Sequence, residues 1–71
     1  MHKNFEDFKT DILAKASLQP SYIRKGQAVF NIVDEDYGVA RTVQFIDHID
    51  CFYDDEKIDE FLEASWNRIN V

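Results

Sequence analysis

The densest chemistry in the chain is the nine-residue stretch DHIDCFYDD. It carries Asp47, His48, Asp50, Cys51, Asp54 and Asp55. Carboxylates at this density are the hard oxygen ligands of a cation such as Ca²⁺. The spacing argues against that use: no glycine makes the sharp turn and no glutamate closes the loop. Helix capping and a packed loop account for the same residues, so no metal is expected. Cys51 and His48 are the residue types of a nucleophile and its base. No third orienting group or oxyanion hole is evident, and a 71-residue chain leaves little room for a pocket. Cys51 reads as a small buried apolar group. Neither a catalytic residue nor a cofactor is expected, and the protein is not expected to be an enzyme.

Two further sets bear on binding. Arg41, Thr42 and Gln44 are base-reading types, and they follow a helical pattern and a turn containing Gly38. That order fits a helix-turn-helix. The charge distribution opposes it. Residues 1–33 hold five Lys/Arg and three Asp/Glu, while residues 34–71 hold three and eleven, which makes the second part −8. Phosphate contacts supply most non-specific DNA affinity, so nucleic acid is a disfavoured partner. Mimicry of DNA by the acidic face is the opposite idea.

The other set is the charges at the ends of the central helical stretch. Arg24 and Lys25 lie near its positive end, and Asp34, Glu35 and Asp36 near its negative end. Each costs about 0.3–1 kcal/mol against the helix dipole at low salt. Solvation, or pairing with a residue such as Arg41, would make them unremarkable; facing a partner would make them a site. With Arg41 and Trp66 they form the candidate interaction set.

These residues need elements to hold them. In residues 21–37, Tyr22, Gly26, Val29, Phe30, Val33 and Tyr37 fall at steps of four and three, one apolar helical stripe. Ser21 is placed to cap it. Gly26 inside the stripe costs about 1 kcal/mol against alanine, which the close approach of a neighbouring helix would offset. Phe5, Phe8, Ile12 and Ala16 make a first amphipathic face, capped by Asn4 and stopped before Pro20. Val39, Ala40, Val43 and Ile46 suggest a short third helix. Ile58, Phe61, Leu62, Ser65 and Ile69 make the last, with Asp54 as cap and Tyr53 and Ile58 as a hydrophobic staple.

The expected fold is therefore all-α, a small bundle of three to four short helices at about 4–17, 21–36, 39–46 and 54–69. The expected core is Phe8, Ile12, Phe30, Val33, Phe61 and Leu62. The alternative is α+β, with a hairpin formed by about 28–33 and 39–46, since both segments are apolar and rich in β-branched residues. Residues 1–71 read as a single domain.

Two segments together carry a resemblance. They are RKGQAVFN at 24–31 and DCFYDD at 50–55, the latter followed by Lys57-Ile58 and Phe61. They resemble a widespread set of very short bacterial and phage proteins. Those proteins have a Gly-Gln-x-x-Phe-Asn segment and, about twenty residues later, an Asp-Pro-Phe-Tyr-Asp-Asp loop before a short amphipathic helix. The resemblance spans residues 22–62 and departs from the pattern at Cys51, where many of the set have proline. It implies a short helical domain of bacterial or mobile-element origin and brings no activity with it.

Composition sets the remaining bounds. A chain this short buries only about 60% of its extended surface, so its core is marginal. A single cysteine allows no internal disulfide and fits a reducing compartment. No apolar run is long enough for a bilayer, and MHKNFEDFK has acids where a signal peptide has an apolar core. The cytoplasm is the expected location. Ten aromatic residues exceed what so small a core should hold, and Phe45, Phe52, Tyr37 and Trp66 are candidates for the surface. The expected function is protein binding, to an unknown protein partner or to itself.

Overall fold

A computed structural model describes residues 4–70. The helices are α1 (Phe5–Ala16), α2 (Lys25–Tyr37), α3 (Ala40–Phe45) and α4 (Ile58–Ile69), and a 3₁₀ turn at Asp55–Lys57 leads into α4. No strand occurs among the described residues, so the hairpin alternative fails. Its first segment lies inside α2 and most of its second inside α3. The physical reason sits at Gly38. Its backbone is left-handed at φ 70°, and its N–H bonds back to the carbonyls of Val33 (3.2 Å) and Asp34 (3.1 Å), which closes α2 as a helix.

α1 begins where the Asn4 side chain accepts the Asp7 N–H at 2.9 Å, with Glu6 and Asp7 in its first turn. α2 begins four residues later than expected. Residues 20–23 form a turn closed by Ile23 N–H on the Pro20 carbonyl, so Ser21 caps nothing and Tyr22 is 85% exposed outside the helix. At α4 the Asp54 carboxylate accepts the Glu56 N–H at 3.0 Å, the cap expected of it. The expected staple does not close over it: Ile58 is buried, while Tyr53 stays 73% exposed and packs edge-on against Phe52.

α2 and α4 are in contact with each other, and each also packs against α1, α3 and the 3₁₀ turn; α1 and α3 do not meet. One core runs through the junction. Phe8, Ile12, Val29, Val33, Val43, Cys51, Phe61 and Leu62 are fully buried, and Phe30 nearly so. All six expected core residues are among these. Phe8 packs against Tyr37 and Trp66, and Phe30 against Phe52 and Phe61, at centroid distances of 5.2–5.6 Å. Ser65, the one buried polar residue among the described residues, donates its hydroxyl to the Phe61 carbonyl at 2.8 Å. Ion pairs fasten the outside: Lys9 to Asp59 at 3.1 Å ties α1 to α4, and Lys15 to Asp36 at 2.8 Å ties α1 to the end of α2. No helix of the described residues is long and apolar enough to cross a membrane.

Candidate functional site

Residues 24–31 and the 50–55 loop meet at the N-terminus of α2. The Arg24 backbone is extended at the cap position, and its side chain does not cap the helix. Asp55 does so from 29 residues away: its carboxylate accepts the Gly26 N–H at 3.1 Å. An acid at a helix N-terminus satisfies an orphan donor and is favoured by the dipole. Arg24 reaches the other way, donating to the Phe52 carbonyl and lying 3.6 Å from Asp55. Its charge at the positive end of α2 is therefore offset inside the molecule.

The same contact explains Gly26. A Cβ there would fall inside van der Waals range of the Cys51 carbonyl oxygen and 2.6 Å from the Asp55 carboxylate. The close approach expected at Gly26 is real, but it is made by the loop and not by a neighbouring helix. Cys51 is fully buried and donates its thiol to the Gly26 carbonyl at 3.3 Å. Burial, reinforced by the negative charge of Asp50, pushes that thiol up to about 12. It is protonated at neutral pH and packs as a small core group.

Two further carboxylates of the loop are also engaged. Asp50 accepts the Phe52 N–H at 2.9 Å, an Asx-type turn. Asp47 binds Arg68 of α4 through two bonds of 2.7 and 2.8 Å, and this pairing holds its carboxyl below the usual range. His48 is exposed on left-handed backbone at φ 58°. Among the described residues, no three His, Cys, Asp or Glu side chains converge as a metal site. The carboxylates that suggested one bind N–H groups and Arg68 instead.

The outer side of the loop differs. Phe52 lies edge-on to Phe30 at 5.3 Å and 84°, and beside them opens a groove of about 290 Å³. Phe30, Arg41, Gln44, Phe45, Phe52 and Tyr53 line it. Three other clefts measure about 260–290 Å³, so size does not single it out. Its lining does: among the described residues four of the six are aromatic, and Arg41 is the one charge. Phe45 is 66% exposed, Ile46 next to it 66%, and Tyr53 73%.

The sequence-derived interaction set is scattered across the molecule. Arg24 belongs to the contact at the start of α2. Lys25 is exposed and lines clefts on Leu13 and Ala28, apart from the groove. Asp34 is half-buried, Glu35 is exposed, and Asp36 is bound by Lys15, so the expected pairing with Arg41 is not the one made. Trp66 lies half-buried against Phe8. Arg41 alone of the set lies in the groove. Of the aromatics expected at the surface, only Phe45 is exposed; Tyr37, Phe52 and Trp66 pack against the core. Tyr22 and Tyr53 are the exposed ones that helical periodicity assigned to an apolar stripe and to a staple.

Comparison of the chain with protein-family models, with curated proteins and with solved structures returned no match.

Proposed function

We propose that the protein is a binding module of the bacterial cytoplasm that docks another protein chain on the groove between α3 and the 50–55 loop. One observation carries this reading: Phe45 and Tyr53 stand exposed in a groove also lined by Phe30 and Phe52, whose one charge among the described residues is Arg41. Single exposed apolar residues are ordinary, but aromatics gathered around one concavity with an arginine are the composition of an interface centre. The chain's net charge of −6 and its acidic second half turn nucleic acid away from the same surface. The acidic residues Asp34, Glu35 and Asp36 have a secondary place in this reading, because Asp36 already serves the packing of α1 on α2.

The test is affinity capture with the tagged parent and with Phe45→Asp and Arg41→Glu, each first shown to melt like the parent. Binding partners retained by the parent and lost by both variants support the groove. Identical capture by all three, or recovery of duplex DNA with affinity falling steeply with salt, contradicts it.

A further inference from the structure

Gly26 holds the 50–55 loop at two points: the Cys51 thiol donates to its carbonyl, and the Asp55 carboxylate accepts its N–H. Between those points Phe52 and Tyr53 form one wall of the groove, with their rings edge-on at 4.8 Å. Two hydrogen bonds of this span are local and travel with it. Asp50 accepts the Phe52 N–H, and Asp54 accepts the Glu56 N–H, each two residues along. Such turns shape a segment without placing it on the rest of the molecule. The Phe52 ring also meets Phe30. Ring pairs of that kind occur over centroid distances of about 4.5–7 Å, so this contact alone does not fix the wall. The Phe52 carbonyl is different: it accepts from Arg24, 28 residues earlier in the chain.

Arg24 itself does not line the groove. One nitrogen of its guanidinium serves the Phe52 carbonyl, and the other lies 3.6 Å from the Asp55 carboxylate. The planar fork of an arginine suits such a bridge, whereas the ammonium of a lysine is a single point. Resting on the reading of the groove as a protein-docking surface, we infer that Arg24 is its positioning residue. It sets the Phe52–Tyr53 wall against Phe45 and Arg41, and it governs binding there from outside the groove. The coupling is reciprocal: a chain seated in the groove favours this placement of the wall, and with it the Arg24 contact.

The test uses the full chain carrying Arg24→Met, which keeps an unbranched apolar stem and removes the donors and the charge. The Asp55 bond to Gly26 remains available, so the variant should melt close to the parent and keep the Gly26 amide protected. NMR should find the contacts between the Phe52 and Phe30 rings weakened and the Tyr53 ring shifted, while those between Phe8 and Trp66 stay. Affinity capture should find the partners that the parent retains and Phe45→Asp loses reduced about five-fold or more. A residue that only stabilised the fold would lower the melting temperature and leave the ring contacts and the capture in place. Arg24→Lys, which keeps the charge beside Asp55 and loses the fork, serves if the methionine variant does not fold, and should move the wall in the same direction. Unchanged contacts between Phe30 and Phe52 in a folded variant overturn the inference, and so does a displaced wall with undiminished capture. Failure of the docking reading has a different mark: the parent then retains nothing that Phe45→Asp loses, whatever stands at position 24, and the inference falls with it.

Discussion

The 50–55 loop has two sides, and they are built on opposite principles. Its inner side is spent on the fold. Asp55 caps α2, Arg24 holds the Phe52 carbonyl, and the Cys51 thiol and carbonyl lie against Gly26. Its outer side leaves Tyr53 and Asp54 exposed, next to a groove where Phe45 and Arg41 have little to pack or pair with. Cys51 and the carboxylates around it therefore do structural work, and the less conspicuous residues across the groove remain available. Density of titratable groups is a poor guide where those groups are satisfied by the chain itself.

The largest expected effect lies under both sides. Phe30→Ala removes the ring that Phe52 and Phe61 pack on and should cost about 3–5 kcal/mol, enough to unfold a marginal domain. A variant that melts like the parent would mean that the core is misassigned.

Gly26→Ala comes next and is diagnostic by its sign. Helix propensity alone predicts a gain of about 1 kcal/mol. The Cys51 carbonyl in the way predicts a net loss of about 1–3 kcal/mol, because backbone cannot yield as a side-chain tip can. Thermal denaturation followed by circular dichroism distinguishes the two.

Asp55→Ala should cost about 0.5–2 kcal/mol, the range for a lost N-cap. An equal cost from Asp55→Asn would show that the carboxylate's charge, and not only its acceptor oxygen, is used.

A smaller effect is expected in the pH dependence. Asp47 has a depressed pKa in the folded state because Arg68 binds its charged form. Its stabilisation is present above the ordinary carboxylate pKa and is lost as pH falls through the depressed value. Asp47→Asn should melt below the parent at neutral pH and converge with it in acid. Parallel curves at every pH would deny the pairing any role.

The smallest effect on stability belongs to the groove: Phe45→Asp should change it by no more than about 0.5 kcal/mol, as for an exposed site. A substantial loss in urea denaturation would place Phe45 in the fold and close the contrast between the two sides.

Much of this fold is legible in the sequence, for reasons that differ by element. Periodicity marks Phe8, Ile12, Val33, Phe61 and Leu62 because an inward-facing stripe is a local property; Ala28 and Ile32 lie off that stripe and are buried as well, because α2 packs against all three other helices. Asn4, Asp54 and Gly38 are legible because caps act within a few residues. The start of α2 is not. Ser21 is the better cap by type, yet the helix waits until Lys25 because its N-terminal donor is satisfied by Asp55 across the fold. The same distance hides the pairing of Asp47 with Arg68, of Asp36 with Lys15, and of Arg24 with the loop. The groove lies beyond the reach of pattern as well, since it forms only when Phe52 folds back onto Phe30 beside α3. The excess of aromatics signalled that some must be exposed; which ones depended on that placement.

The central claim is that the 50–55 loop is joined to the start of α2, and the Gly26 amide tests it most directly. The first N–H groups of a helix have no partner within it and exchange freely with solvent unless something else binds them. Amide hydrogen exchange followed by NMR should therefore find Gly26 protected in the parent. It should find that protection lost in Asp55→Ala, while the amides of Val29 to Val33 inside α2 keep theirs. A Gly26 amide that exchanges at the rate of an unbonded one in the folded parent would contradict the account.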